Sequence, residues 1–177
     1  MRFSDPVANI ERFNLEHGSL VADFGAGTGE YTMASARAVG RRGVVYAVDI
    51  QQELLSRIKN TANNLGLENV ETVWGDIESF GGSGLLDNTV DAAVVSNVLF
   101  LVEDKDELVK EIIRVLKYNG KVLVVDWKDS FGGLGPHADA IVSLQVVKDL
   151  FEKHGFDFIK EIQAGAHHYG AVFKGKK

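Results

Sequence analysis

The chain has 177 residues, no cysteine and a formal net charge of −6. It is long enough to bury a substantial core as one domain, and 45% apolar with 25% charged residues excludes a disordered or fibrous protein. The missing cysteines exclude disulfides, thiolate nucleophiles and cysteine-based metal sites, and the acidic balance argues against a nucleic acid as partner.

The first 18 residues carry charged side chains throughout, which is unlike a signal peptide or a membrane span. We therefore expect a cytoplasmic protein that does not bind membranes, with residues 1–177 forming a single domain. Apolar residues, among them Phe3, Ile10 and Phe13, recur within residues 1–18. They predict a helix that either acts as a lid over the functional site or covers the edge of the sheet.

Short apolar runs then alternate with amphipathic stretches along the rest of the chain. The predicted strands are residues 20–24, 44–48, 70–74, 90–98 and 121–127. Most of these runs are apolar without interruption, which is typical of parallel strands covered on both faces. The last two predicted strands, residues 156–165 and 167–175, are almost contiguous. A connection that short cannot cross over a sheet, so these two strands should form an antiparallel hairpin.

The stretches between the strands have the apolar spacing of helices, within residues 54–65, 108–116 and 144–151. Gly66, Gly120 and Gly155 follow these stretches and are predicted to end the helices. Strands alternating with helices predict an α/β fold with right-handed crossovers. We expect a Rossmann-like, doubly wound, seven-stranded sheet that is mostly parallel and has an antiparallel C-terminal strand.

A glycine-rich turn follows the first predicted strand, in VADFGAGTGEYT (residues 21–32), with Gly25, Gly27 and Gly29 at alternate positions. Ligands of open α/β sheets bind at the carboxyl ends of the strands, and glycines there let a ligand approach the backbone. The dinucleotide fingerprint requires Gly or Ala where this chain has Glu30, and the carboxylate disfavours a pyrophosphate at the helix start. A tight turn that holds no ligand is the alternative.

Together with the acid that ends the second strand in VVYAVD, this turn resembles the class I S-adenosylmethionine-dependent methyltransferases. WGDIES (74–79), LLDNTVDAAVVSNVLFLVED (85–104) and ELVKEIIRVLKYNGKVLVVDWK (107–128) resemble the segments that follow in that family. The C-terminal hairpin resembles the one that distinguishes this family from dinucleotide-binding folds. The likeness covers almost the whole chain and favours a small, type 11-like methyltransferase domain. It implies S-adenosylmethionine as the cofactor and methyl transfer as the reaction.

The resemblance also implies a set of cofactor contacts. Asp23 should face the amino group of the ligand, directly or through water, Asp49 the ribose hydroxyls, and Asp76 the adenine amino group. A purely structural cap is the alternative for each acid. The complete predicted set is Asp23, Gly25, Ala26, Gly27, Gly29, Asp49, Ile50, Asp76, Ile77, Ser96 and Asn97. No metal is expected, because two adjacent histidines without a third ligand make a weak site.

Methyl transfer depends mainly on positioning the acceptor and excluding water, and it needs a general base only when the acceptor is protonated. His168, at the start of the last strand, and His137, in the Gly/Pro-rich segment 127–140, are the predicted catalytic residues lining the acceptor pocket. The alternative is an ordinary hydrogen-bonding role. His167 and Tyr169, beside His168, and Asp126 and Trp127, beside the segment, are further candidates, whereas GGSGL (81–85) is predicted to be a flexible loop.

The expected acceptor is a small molecule, with a peptide as the alternative. The closest pattern is that of methyltransferases related to quinone biosynthesis, but the chain is short for a full cap domain, which disfavours a large lipid-like acceptor. Related arsenite methyltransferases work through cysteines, which are missing here. A non-catalytic cofactor-binding subunit and, less favoured, a dinucleotide-dependent oxidoreductase are the competing functions.

Overall fold

The structure is a computed structural model that describes residues 4–131, 133 and 135–176. Phe3 of the predicted N-terminal helix therefore lies outside the described residues. Along the chain the elements are α1 (Pro6–Phe13), β1 (Leu20–Phe24), α2 (Glu30–Val39), β2 (Val44–Asp49), α3 (Gln52–Asn64), β3 (Val70–Trp74), β4 (Val90–Ser96), α4 (Lys105–Val115), β5 (Leu116–Trp127), a 3-10 helix (Ala138–Ala140), α5 (Leu144–Lys153), β6 (Phe156–Ile162) and β7 (His168–Gly175).

The described residues form one seven-stranded sheet in the order β3-β2-β1-β4-β5-β7-β6. Neighbouring strands from β3 to β5 pair in parallel, and β7 is antiparallel to both β5 and β6. The predicted fold is thus confirmed, including its antiparallel C-terminal strand. The strand order reverses between β1 and β4, and such a switch point opens a crevice at the carboxyl ends of the strands.

Helices cover both faces of the sheet, which is why β2, β4 and the second half of β5 are mostly apolar and buried. Successive residues of β1 alternate between two buried clusters: Val21 belongs to one, and Ala22 to the other. The first cluster includes Ile10 of α1 and Ile58 of α3, and the second includes Phe151 of α5. Among the described residues, no helix has the length and apolar character that a membrane crossing requires.

The N-terminal segment forms a helix that packs into the core. Asp5 caps α1 by accepting a hydrogen bond from the backbone N–H of Ala8 at 3.2 Å, and Pro6 occupies the first turn, where its missing N–H has no cost. Ile10 and Phe13 are each 2% exposed. The helix itself therefore agrees with the sequence pattern, and its action as a lid stays a prediction.

Two of the three predicted helix-ending glycines are confirmed. Gly66 and Gly155 follow α3 and α5 closely and have φ of 66° and 85°, a left-handed conformation that favours glycine. The prediction for Gly120 is wrong, because α4 ends at Val115 and β5 begins at once. Pairing with β4 shifts register next to this point, so a strand irregularity takes the place of a separate turn.

Loop 81–85 is also held more firmly than predicted. Ser83 is fully buried, and the side chain of Glu111 on α4 accepts the backbone N–H groups of Gly81 at 2.6 Å and Ser83 at 3.0 Å. The expectation of a free, flexible loop overlooked this buried acid, which lies thirty residues further along the chain.

Candidate active site

A cavity of about 330 Å³ opens at the carboxyl edge of the sheet, within the size range of small-molecule sites. Its walls come from the turn after β1, the end of β2, and the loops after β3 and β4. The predicted cofactor residues that line it are Gly25, Ala26, Gly27, Asp49, Ile50, Asp76, Ile77, Ser96 and Asn97. Asp23 and Gly29 lie outside the described lining.

Glycine is needed at positions 27 and 29 of the turn for two different reasons. Gly27 has φ of 53°, and a Cβ atom placed there would come no closer than 3.9 Å to another residue, so it would project into open space beside the cavity. A Cβ atom on Gly29 would instead lie 2.7 Å from the side chain of Ile58. Gly27 therefore leaves room for a ligand, whereas Gly29 is required by packing of α2 against α3.

Asp49 links the glycine turn to the end of β2. Its Oδ2 accepts the backbone N–H of Gly27 at 2.9 Å, and its Oδ1 accepts that of Gln51 at 2.9 Å. The side chain is 7% exposed and lines the cavity. Each carboxylate oxygen retains a further lone pair, so the group can accept two additional hydrogen bonds, as a vicinal diol would supply.

Asp76 closes the turn that follows β3. Its Oδ1 accepts the backbone N–H of Glu78 at 2.9 Å, and its Oδ2 accepts the hydroxyl of Ser79 at 2.8 Å. This is a structural role of the kind weighed as the alternative. Asp76 nevertheless lines the cavity, together with Ile77, which is 9% exposed. The two roles are compatible, because each oxygen has unused acceptor capacity.

Asp23 is enclosed behind the turn. It is fully buried, its Oδ2 accepts the Thr32 hydroxyl at 2.6 Å, and no described residue donates to its Oδ1. Burial raises the pKa of Asp23 to about 6, an effect to which the charge of Asp49 adds and which the Thr32 hydrogen bond opposes. Its contact with a ligand amino group stays a prediction that requires water or a small movement.

Asn97 provides the clearest unpaired acceptor of the cavity wall. It follows the last residue of β4 with φ of 53°, and its backbone N–H donates to the carbonyl of Val125 at 2.8 Å. Its buried Oδ1 has no hydrogen-bond partner within the described part of the chain. A buried acceptor without a donor costs about 1–3 kcal/mol, so a ligand donor at this position would recover that free energy.

The remaining lining residues are not predicted from the sequence to contact the cofactor. They are Ser4, Pro6, Thr28, Glu30, Tyr31, Gln51, Leu54, Gly75, Glu78, Val98, Leu101 and Val102. Tyr31 is the most informative, because its hydroxyl accepts from Nδ2 of Asn9 at 2.8 Å and is 3.0 Å from the hydroxyl of Ser4. Its place at the start of the helix after the glycines is the one available signal.

A second cavity, of about 610 Å³, lies between α1 and the turn that joins β6 to β7. It is lined by Asp5, Ala8, Asn9, Arg12, Lys128, residues 161–166, His168 and Tyr169. Asn9 bonds to Tyr31, which lines the first cavity, so this pair separates the two. His168 is therefore found on the second cavity, 4% exposed, with its ring centroid 4.3 Å from that of Trp127.

The other substrate-side candidates are dispersed. His137 is exposed at the start of the 3-10 helix and is not among the described lining of either cavity. His167 lies with Nδ1 2.6 Å from a carboxylate oxygen of Asp129. Asp126 is 2% exposed and bonds to backbone. The structure thus brings the cofactor candidates together but does not gather the substrate-side candidates around one point. The described residues include no cluster of three or more His, Asp or Glu suited to a metal ion.

Comparisons with known proteins agree with this architecture. The methyltransferase-domain family matches residues 15–174. The ubiquinone/menaquinone biosynthesis C-methyltransferase UbiE of Escherichia coli is 34% identical over 119 residues, which are 67% of this chain and 46% of that protein. The match thus spans about half the length of these curated relatives.

Solved structures extend the comparison to nearly the whole chain. A SAM-dependent methyltransferase from Aquifex aeolicus superposes with a TM-score of 0.87 at 28% identity, covering 97% of this chain and 90% of that one. The cyclase SpnF has the same fold, with a TM-score of 0.81 at 18% identity over 96% and 79% of the two chains. The chain therefore belongs to the methyltransferase-domain family, and its fold is that of the class I S-adenosylmethionine-dependent methyltransferases.

Proposed function

We propose that this chain transfers a methyl group from S-adenosylmethionine to a small-molecule acceptor. The observation that carries the proposal is the pairing of Asp49 with the backbone N–H of Gly27 at the edge of the cavity. This contact fixes a carboxylate beside a stretch of backbone that a ligand can approach closely because Gly27 has no side chain. No cationic side chain is found in the described lining. Such a site suits a ligand that carries hydroxyl and cationic groups but no phosphate.

The residues around the cavity fit the parts of this cofactor. Asp49 would accept the ribose hydroxyls, and Asp76 would accept the adenine amino group beside Ile77. Asn97 Oδ1, which lacks a donor among the described residues, would accept a hydrogen bond from the amino group of the cofactor. The bound cofactor would supply a methyl group activated by a sulfonium charge.

The second cavity is the proposed acceptor side. Its volume of about 610 Å³ suits a small molecule, and α1 with the Asn9–Tyr31 pair forms the wall that it shares with the cofactor cavity. Methyl transfer needs the reacting atoms about 3 Å apart, so this wall would have to open when the acceptor binds. We propose that His168, on its wall, contacts the acceptor and removes a proton where the acceptor carries one. His137 remains a weaker candidate because its exposed position adds no support. A peptide acceptor would have to enter from the open side of this cavity.

The chain's own contribution to the reaction is positioning. The walls of both cavities rest on buried strands and on loops fixed by side-chain hydrogen bonds, so an acceptor held between them loses translational freedom and surrounding water. Orientation of this kind can supply about 7–11 kcal/mol of barrier reduction, so a catalytic triad is unnecessary.

Calorimetric titration with S-adenosylhomocysteine, the demethylated cofactor, tests the proposal. The wild type should bind, and Asp49→Asn should bind about tenfold or more weakly, because hydrogen bonds to a charged group contribute about 1.5–3 kcal/mol. Asp157→Asn is the matched control, since Asp157 is an exposed carboxylate on β6 that pairs with Lys176. No heat with the wild type, together with heat from a nicotinamide dinucleotide, would replace this function by the oxidoreductase alternative.

Turnover separates an enzyme from a cofactor-binding subunit. With small phenols, amines and quinols as trial acceptors, we expect formation of S-adenosylhomocysteine, and His168→Ala should lower its rate while leaving cofactor affinity unchanged. Equal turnover in His168→Ala would exclude this residue from catalysis. Cofactor binding without turnover on any trial acceptor would favour the non-catalytic subunit.

A further inference from the structure

Asp126 is a buried acid for which the proposed reaction has no direct use. It is the penultimate residue of β5, is 2% exposed, and is outside the described lining of both cavities. Its Oδ2 accepts the backbone N–H of Leu99 at 3.0 Å, and its Oδ1 accepts that of Trp127 at 2.8 Å. Both oxygens thus hold backbone, and the side chain is buried away from both cavities, so Asp126 does not face the acceptor.

The bond to Leu99 reaches the wall of the cofactor cavity. Leu99 lies in the turn 98–102 between β4 and α4, where the N–H groups of Leu101 and Val102 donate to the carbonyl of Val98 at 2.9 and 3.2 Å. Val98, Leu101 and Val102 line the cavity, whereas the side chain of Leu99 points into the core and is fully buried. Asp126 therefore holds this turn through a hydrogen bond on the side that faces away from the cofactor cavity.

The far end of the same loop has a second carboxylate anchor of different character. Glu78 accepts the backbone N–H groups of Glu103 at 2.7 Å and Asp104 at 3.2 Å, at the partly exposed surface. Hydrogen bonds at the exposed surface are weaker than those in the interior, because water gives the surface a higher effective dielectric constant. The buried bond from Asp126 is therefore the stronger constraint on the turn.

We propose that Asp126 is a positioning residue, which in its ionised form holds turn 98–102 in place as a wall of the cofactor cavity. The inference rests on the proposed function, since it assigns cofactor affinity to the order of this wall. Asp126 acts through Leu99 and touches neither cofactor nor acceptor.

The position of Asp126 makes its effect dependent on pH. Burial raises the pKa of Asp126 to about 6, although the backbone N–H groups of Trp127, Leu99 and Val98 and the charge of Lys105 oppose this rise. Tyr169 faces it from β7, with its hydroxyl bonded to the carbonyl of Val142. Below pH 6 the carboxyl gains a proton, and one of its oxygens ceases to be an acceptor for backbone N–H. The wall should then loosen and cofactor affinity should fall.

The test compares Asp126→Asn with Asp91→Asn in calorimetric titrations with S-adenosylhomocysteine from pH 5 to pH 8. Asp91 is the control for a carboxylate that holds backbone away from the cavity, because it accepts the backbone N–H of Leu20 at 2.8 Å at the opposite edge of the sheet. It differs from Asp126 in being 40% exposed and paired with Lys117. We expect Asp126→Asn to raise Kd about tenfold at pH 8, because it removes one charge-assisted hydrogen bond. Asp91→Asn should leave Kd unchanged. The ratio of Kd between Asp126→Asn and wild type should approach one at pH 5. Asp23 is the same in both proteins, so its titration cancels in that ratio.

Two results would overturn the proposal: a Kd ratio that is the same at every pH, or an equal change in Asp91→Asn. If no protein binds S-adenosylhomocysteine, the proposed function fails, and amide hydrogen exchange then tests the positioning alone. Exchange in residues 98–102 should accelerate in Asp126→Asn but not in Asp91→Asn. If Asp126→Asn does not fold, the nitrogen chemical shift of the Leu99 amide is followed in the wild type instead. It should change with a midpoint near pH 6 as Asp126 is protonated, and a shift that does not change with pH would reject the bond.

Discussion

The strongest stability prediction concerns Glu111, a fully buried acid on α4. Arg114 donates to it from Nε at 2.8 Å and from Nη2 at 2.7 Å, and the backbone N–H groups of Gly81 and Ser83 complete its hydrogen bonds. Gly82, between these two residues, accepts the backbone N–H of Asp76 at 2.9 Å. Glu111 therefore supports both the fold and a loop of the cofactor cavity.

We predict that Glu111→Gln lowers the free energy of unfolding by about 3 kcal/mol at pH 7. Burial alone would raise the pKa of Glu111, but the hydrogen bonds from Arg114, Ser83 and Gly81 outweigh it and lower the pKa from 4.5 to about 2. That difference corresponds to about 3 kcal/mol of preference for the ionised form in the folded state. Because the folded pKa is depressed, this stability is present above pH 4.5 and is lost as the pH falls toward 2.

Urea unfolding at pH 7 and pH 3 measures the effect. The difference between wild type and Glu111→Gln should fall to less than half at pH 3, where the unfolded state already binds the proton. Glu107→Gln is the control on the same helix, since Glu107 pairs with Lys110 at the surface and should change stability by less than about 0.5 kcal/mol. An equal loss for Glu111→Gln at both pH values would show that shape, rather than charge, explains the effect.

Two further substitutions test individual contacts. Gly29→Ala should destabilise the protein more than Gly66→Ala, since both glycines have positive φ but only at Gly29 would a Cβ atom lie 2.7 Å from Ile58. Thermal unfolding should show a cost of about 1 kcal/mol for Gly66→Ala and a larger cost for Gly29→Ala. Equal costs would contradict the packing argument. Tyr31→Phe should cost about 1 kcal/mol in urea unfolding, because Asn9 loses one of its acceptors, and an unchanged midpoint would show that this bond adds no stability.

The fold could be predicted because burial on both faces of the sheet leaves a direct mark on the sequence. Most of the parallel strands are largely apolar, and Gly66 and Gly155 mark helix ends through their positive φ. Gly120 misleads for a physical reason. β5 follows α4 without a separate turn, its register against β4 shifts before Gly120, and Asn119 has the φ near 60° expected of the glycine.

The candidate site could be predicted only in part, because sequence position gives the edge of a sheet but not the direction of a side chain. Asp49 ends β2, Asp76 and Asn97 follow the ends of β3 and β4, and all three line one cavity. Asp23 lies next to the end of β1 and is enclosed by contact with α2. His168 lies at the same edge but on another cavity, because α1 occupies the space between them. The placement of His168 depends on how α1 packs against the sheet, which cannot be predicted from the sequence around His168.

Three of the buried acids, Asp23, Asp126 and Glu111, fall into two groups that respond to acid in opposite ways. Asp23 and Asp126 are buried without a cationic hydrogen-bond partner among the described residues, and burial raises the pKa of each to about 6. Since these pKa values exceed that of an unfolded aspartate, protonation between pH 7 and 5 relieves a cost in the folded state and favours folding. Glu111, paired with Arg114, stays ionised over that range. Acidification should therefore weaken the cofactor cavity while these groups leave the fold intact or stabilise it, so that affinity is lost at a higher pH than structure.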